Sequence, residues 1–387
     1  MLKAQQIEIS ERLLRYKETN TQAMADAPFV NPVSIYTDPA HFARERQLFF
    51  RQIPLFMGLS SRLAKPGDFI THNFTGQPIL IMRGENGELN AFLNVCRHRG
   101  ARVLEEDCGK GKRRFTCPYH GWVYDTAGKL AEIPHPERVG ALDKAALGLT
   151  RLPAAEKYGL IFVRPTPGAP VDIDSLLGGL GPEIGAFGFE KYAHYRSVSM
   201  SYNFNWKIVQ DTFLETYHLP VLHRTTVNPL IDWSVSTFDP YDYNLRFAIT
   251  RKDFEQWRTQ PPAERNVLSQ LAIVYLLFPN LTFIWQGDHA EAWCAYPDAD
   301  HIDRTNIEFM LFAPEPPAND SVRRHWDRNF DIAIATVEKE DFPMSEKLNA
   351  GFFSGAQTEV VYGRNEPALI HYHESLRRAM RADKPVF

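Results

Sequence analysis

Cys96-Arg97-His98 and, after eighteen intervening residues, Cys117-Pro118-Tyr119-His120-Gly121-Trp122 decide the reading of this chain. Each segment offers one thiolate and one imidazole. Two thiolates on one iron and two imidazoles on the other is the ligand set of a mixed-ligation [2Fe–2S] centre. Exchanging two charged thiolates for neutral imidazoles raises the reduction potential, to roughly −150 to +300 mV. Such a centre passes single electrons, so the protein performs or feeds redox chemistry. The competing reading is a Cys₂His₂ zinc site, which uses the same ligand types. Zinc modules usually open with a Cys-x₂₋₄-Cys knuckle, and a Cys-x-His opening is unusual for them.

At 387 residues, with 44% hydrophobic and 12% aromatic content, the chain suits two domains with sizeable cores. A net charge of −4 gives no reason to expect nucleic acid or an anionic membrane as partner. The first twenty residues, MLKAQQIEISERLLRYKETN, are polar and helix-like, with no apolar signal segment. The most apolar run, Leu271 to Trp285, is broken by Pro279-Asn280 and is too short to span a bilayer. Only Cys108 and Cys294 lie outside the cluster motif. A disulfide between them stays open, and a reduced cytoplasm is the simpler reading.

Residues 1–45 predict a helical lead followed by a Pro-rich arm. Over 46–168, short runs such as FITHNF, PILIMR and LIFVRP alternate with Gly, Pro and Asn turns, which predicts an all-β module holding both cluster segments. PTPGAPVDIDSLLGGLGPEIG reads as a linker. Residues 169–387 mix helical patterns (about 203–219 and 320–342) with β runs such as LTFIWQ and TNIEFMLFAP. The fold class is therefore α+β.

A second constellation lies in NFNWKIVQDTFLETYHLPVLH, residues 203–223. With thirteen histidines in the chain, His218-x₄-His223 alone carries little. Its context carries more. Written on a helix, Trp206, Val209, Phe213 and Tyr217 form an apolar stripe, while Asp211, Glu215 and His218 share a different face. Pro220 is placed to end that helix and free His223 to swing beside His218. A solvated polar face is the bland alternative. Two imidazoles plus one carboxylate make the facial triad of non-haem Fe(II) oxygenases. Asp341 continues the buried helical stripe Trp326, Phe330, Ile334, Val337, and a buried carboxylate is costly unless paired or metal-bound. Glu340 and Glu346 compete but lie off the stripe, and a plain ion pair would also explain Asp341.

These motifs (CRHRG, CPYHGW, NWK, ETYH with His223, FPN at 278–280 and Glu340-Asp341) resemble the α subunit of the Rieske non-haem iron oxygenases, the aromatic-ring-hydroxylating dioxygenase family, over nearly the whole chain. The resemblance implies an all-β Rieske domain plus a helix-grip (Bet v 1-like) catalytic domain, an antiparallel sheet around a long helix. It implies Cys96, His98, Cys117 and His120 as cluster ligands, and His218, His223 and Asp341 as ligands of a mononuclear Fe(II). Ala101, Tyr119 and Trp122 stand where respiratory Rieske proteins carry two further Cys and a Ser. By resemblance Glu215 bridges electrons between subunits of a head-to-tail homotrimer, with His120 of the neighbouring subunit on its other side; Asp211, on the same helical face, is a candidate for further support. A β subunit is left open, the chain's modest length leaning toward α alone. O₂ is the implied co-substrate. No GxGxxG occurs, so NAD(P)H oxidation falls to a flavin reductase or ferredoxin partner. Lys110, Lys112, Arg113 and Arg114 could receive that partner, although a solvated turn is the preferred reading.

Three functions compete: a terminal oxygenase, a Rieske electron carrier, and a zinc-stapled binding module. For the oxygenase an aromatic or other apolar substrate is expected, with dioxygenation favoured and N- or O-demethylation as alternative. Trp233, Phe283, Trp285, Phe352 and Phe353 are candidate pocket residues, although core packing explains them equally well.

Overall fold

A computed structural model describes residues 1–382 and 386–387 and resolves into two compact units. The smaller comprises Gln47–Leu176, Phe189–Lys191 and Phe387; the larger comprises Met1–Arg46, Leu177–Gly188 and Tyr192–Val386.

The smaller unit is built from short antiparallel strands. Five strands run in the order Arg151–Leu152, Leu89–Leu93, Ile79–Arg83, Phe69–His72, Cys108–Gly109. Ile79–Arg83 is buried at every position, which is why PILIMR reads as a continuous apolar run rather than an alternation. A separate three-stranded sheet, Arg114–Thr116, Val123–Asp125 and Leu130–Glu132, carries the second cysteine loop between its first two strands. Phe69, Leu80, Met82, Phe92, Phe115 and Tyr124 pack with Cys96 and Cys117 in one core. The cysteines are thus rooted in packed apolar structure.

In the larger unit seven strands form one antiparallel sheet: β1 (Ala193–Tyr202), β2 (Ile231–Tyr241), β3 (Asn244–Arg251), β4 (Leu271–Leu277), β5 (Leu281–Trp285), β6 (Ala290–Pro297) and β7 (Thr305–Ala313). Their spatial order is β1-β7-β6-β5-β4-β3-β2. Helices α1 (Lys3–Glu18), α2 (Pro39–Gln47), α3 (Lys207–Phe213), α4 (Asp320–Thr336), α5 (Phe342–Phe353) and α6 (Pro367–Arg381) complete the unit. The N-terminal lead belongs here: α1 buries Ile9, Leu13 and Leu14, and Arg12 grips Asp239 on β2 through two bonds of 2.8 and 2.7 Å. Such bidentate pairing fixes orientation as well as charge.

Two local expectations change. The helix expected over 203–219 is only Lys207–Phe213, and after an irregular step at Glu215 and Thr216 the chain runs as consecutive turns over 217–230. The second helical pattern, expected over about 320–342, does not stop there. A π-type turn at Val337–Asp341 widens the helical path, and α5 restarts with Pro343 in its first turn. There the missing N–H costs nothing.

Strand register decides which aromatics face the helices. Thr282 pairs with Trp293, and Trp293 with Phe309. Thr282 hydrogen-bonds Gln210 on α3, and Trp293 lies 5.3 Å from the Phe213 ring, so this face looks toward α3. Phe283 is offset by one residue from Thr282 and stacks on Phe312 instead. Trp285, two residues further, shares that other face and meets Phe187. A one-residue offset on a strand reverses the face.

Candidate functional site

The two cysteine loops of the smaller unit share one hydrogen-bond pattern. Cys96 N donates to Ala101 O and Gly100 N to Cys96 O; Cys117 N donates to Trp122 O and Gly121 N to Cys117 O. The fourth residue after each cysteine is a glycine with positive φ, 78° at Gly100 and 73° at Gly121. Only glycine takes that backbone without strain, which is why each tight loop carries one. Both loops therefore aim a buried cysteine inward, while His98 is exposed and His120 half-buried. The imidazole rings meet edge to face at 4.5 Å, and Trp122 stacks on His98 at 4.8 Å.

Two supporting residues lie beyond the motif. Buried Asn94 closes the first loop: its Oδ1 accepts from Val103 N and Leu104 N, and its Nδ2 donates to Leu104 O. The Tyr124 hydroxyl sits 3.4 Å from Cys96 Sγ and accepts from Arg97 N. Burial, with Cys96 beside it, raises the Tyr124 pKa, so the phenol keeps its proton to offer a thiolate. Burial likewise raises the pKa of Cys117. Two buried thiols with imidazole partners nearer the surface are the residues that would hold a two-iron, mixed-ligand cluster. Cys108 and Cys294 are both free thiols.

The larger unit holds the second site. Ligand atoms of His218, His223 and Asp341 lie within 4.8 Å of one another, the one such group among the described residues. Both histidines stand on the turns after α3, and Asp341 ends the π-type turn. His223 Nε2 lies 2.9 Å and His218 Nε2 3.8 Å from Asp341 Oδ1. Yet that oxygen is buried and makes no aligned hydrogen bond. The three groups point at a shared position rather than at each other.

The outer nitrogens explain the aim. Nδ1 of His218 is held by Glu215, and Nδ1 of His223 by Glu340 at 2.6 Å. Thr226 Oγ1 donates to the same Glu340 oxygen at 2.7 Å. A carboxylate on Nδ1 fixes the tautomer and leaves the Nε2 lone pair for a metal. Burial opposes charge on His223, but Asp341 and Glu340 raise its pKa above the ordinary value. Three carboxylates around two imidazoles fit a divalent cation, with positions left open for other ligands.

Of the remaining sequence candidates, Glu346 caps Asn203 and stays away from the triad. Asp211 is not brought to His218. Its carboxylate takes the Tyr36 hydroxyl at 2.5 Å and His373 Nε2 at 2.7 Å, because the helix ends before Glu215 and the shared face ends with it. Among the pocket candidates, Phe352 stacks on Tyr36 and Phe353 is exposed. On the α3 side the strand and helix aromatics that meet are Phe213, Trp293, Phe309 and Phe330, with Trp293 and Phe309 stacked at 4.1 Å. The basic loop is locally paired, Lys112 with Glu106 at 2.9 Å and Arg113 with Glu85 at 3.7 Å.

A mixed Cys/His cluster unit joined to a two-histidine, one-carboxylate site defines an iron protein with an electron-transfer centre and a reactive centre. Comparison with known proteins places it. The Rieske [2Fe-2S] domain model matches residues 55–147, and the ring hydroxylating alpha subunit (catalytic domain) model matches residues 189–382. The chain belongs to the Rieske ring-hydroxylating oxygenase α-subunit family, whose cofactors are a Rieske [2Fe–2S] cluster and a mononuclear iron. It is 41% identical over 145 residues to the biphenyl 2,3-dioxygenase α subunit of Rhodococcus jostii, covering 37% of this chain and 31% of that one. It is 32% identical over 198 residues to the carnitine monooxygenase oxygenase subunit of Escherichia coli K12, covering 50% and 51%. The chain thus spans a third to a half of these relatives' length. A solved quaternary ammonium Rieske monooxygenase with L-carnitine shares the fold, with a TM-score of 0.77 at 20% identity over 92% of this chain and 97% of that one.

Proposed function

We propose that the chain is the terminal oxygenase component of a multi-protein system. Electrons from NAD(P)H, delivered by a separate reductase or ferredoxin, enter at Cys96, His98, Cys117 and His120. A small molecule is then hydroxylated beside His218, His223 and Asp341. The observation that carries this is the convergence of those three ligands, each imidazole held by its own carboxylate, in a chain that also bears the two cluster loops. When bound, the iron supplies O₂ activation and the cluster supplies electrons one at a time.

The chain's own residues do the rest. Glu215 and Glu340 hold the two imidazoles in one tautomer. Phe213, Trp293, Phe309 and Phe330 supply an apolar wall that excludes water. Glu215 is proposed as the electron bridge between subunits of a homotrimer. Exposed Tyr217 and Val221 beside the metal site (65% and 81% accessible) and exposed Tyr119 beside His120 support a protein contact at each end of that bridge.

The aromatic wall supports an aromatic substrate and ring dioxygenation. A second reading, monooxygenation of a methylammonium compound, is favoured by the longer alignment with the carnitine monooxygenase subunit. Stacked aromatic faces also hold alkylammonium groups. A single turnover of reduced protein under ¹⁸O₂ separates the two. Two labelled oxygens in one ring product support the first reading. One labelled oxygen, or formaldehyde with a demethylated product, supports the second. Consumption of O₂ with no oxidised organic product from either substrate class would count against an oxygenase.

A further inference from the structure

The larger unit contains a cavity of about 490 Å³ that includes no ligand of the metal site. Its size suits a small organic ligand. Arg44 of α2 and Arg377 and Arg381 of α6 line it, with His41, Lys207 and His373. Among the described residues Glu45 is the one carboxylate in that lining, and it is already engaged three times: by Lys207 at 2.8 Å, Trp206 Nε1 at 3.0 Å and His41 at 3.1 Å. Arg44 donates to the Met380 carbonyl at 2.7 Å and Arg377 to Asn31 Oδ1 at 2.8 Å, both neutral acceptors. Among the described residues no ion pair forms at either guanidinium. A guanidinium has five N–H donors, so each keeps donors and charge to offer.

The cavity therefore gathers uncompensated positive charge in a recess, where low-dielectric walls focus the field on an anion. Ile35, Leu376 and Met380 add apolar surface beside the guanidinium groups. Phosphate alone would leave that surface unused. A carboxylate on a hydrocarbon or aromatic body would use both, since the planar guanidinium fork matches a carboxylate. We propose that this cavity binds a small organic carboxylate at a site separate from the metal centre. The site also adjoins the machinery. Lys207 opens α3, and His373 bonds Asp211 on the same helix, four residues before Glu215 in the chain. An occupant would thus be felt along the segment that leads to His218.

The test is calorimetric titration of full-length holoprotein with benzoate, glutarate and inorganic phosphate. We expect saturable binding of at least one of the two carboxylates. That binding should persist in His218→Ala protein, which separates it from a substrate site. It should weaken by about tenfold or more in Arg44→Gln/Arg381→Gln protein, the loss expected for a charge-assisted hydrogen bond. The Arg44→Lys/Arg381→Lys protein, which keeps the charge but loses the planar fork, should bind more weakly than wild type and more tightly than the double Gln protein; affinity no better than the double Gln protein's would overturn the charge-based reading. Absence of binding by both carboxylates at millimolar concentration would overturn the proposal, as would binding of phosphate alone. Carboxylate binding that His218→Ala abolishes, or that the double Gln variant leaves unchanged, would place the ligand elsewhere and overturn it equally.

Discussion

Glu340→Gln isolates the outer support of the metal site. Glu340 Oε2 lies 2.6 Å from His223 Nδ1, on the residue preceding the ligand Asp341, so its side chain orients one ligand from beside another. Gln keeps a hydrogen-bond acceptor and the shape but removes the charge. Bonds to an ionised acceptor are roughly twice as strong as neutral ones, so the exchange costs on the order of 1 kcal/mol. Glu340 is 19% exposed, which softens the effect and argues for the lower end. The expected outcome is Fe(II) binding weakened about five- to tenfold. Glu340→Ala leaves the imidazole N–H unsatisfied and should approach a hundredfold. Chelator competition on the reduced protein measures this, with the visible spectrum of the Rieske cluster as an internal control. Wild-type affinity in both variants would refute the idea that Glu340 positions His223. Loss of the Rieske spectrum would show instead that the substitution disturbs the fold.

Other consequences follow from the same geometry. Tyr124→Phe removes a donor 3.4 Å from Cys96 Sγ; a hydrogen bond to sulfur favours the reduced cluster, so spectroelectrochemistry should show a potential lower by roughly 20–60 mV. Glu215→Gln should keep the cluster and weaken Fe(II) no more than Glu340→Gln does, while slowing electron delivery to the iron of Fe(II)-saturated protein by at least about tenfold, and stopped-flow reoxidation at the wild-type rate would exclude Glu215 as the bridge. His289 has its pKa raised to about 9: burial opposes its charge, but the Asp288 and Glu291 carboxylates overcome this. Its ion pairs then stabilise the fold fully below the ordinary histidine pKa and lose that contribution as pH rises through about 9. Denaturation of His289→Asn against wild type should show the larger gap at pH 6 and a smaller one at pH 9.5, and a gap that widens with pH would contradict the sign.

The parts legible in the sequence are those whose partners are near in the chain or fall on one regular period. Each cluster loop places Cys, His and a positive-φ Gly within five residues, so its chemistry is written locally. Asp341 could be found because it extends an apolar stripe in which Trp326, Phe330 and Val337 are buried and Ile334 is half-buried. Glu340 could not, because its role is set by His223, 117 residues away, and nothing local distinguishes it from a surface glutamate. Asp211 shares the His218 face only if the helix runs unbroken. With α3 ending at Phe213 the 3.6-residue period no longer applies, and Tyr36 and His373 claim the carboxylate. The pocket candidates Phe283 and Trp285 share the physics of Trp293: all are buried strand aromatics, and only the pairing register tells which face each one takes.

Metal and sulfide content, with and without the triad, tests the central claim that one chain holds an electron-transfer cluster and a separate reactive iron. Wild-type protein should contain about three irons and two acid-labile sulfides per chain. His218→Ala/Asp341→Ala protein should lose one iron, keep both sulfides and retain the Rieske electron paramagnetic resonance signal. Two irons in both proteins, or zinc without sulfide, would contradict the account.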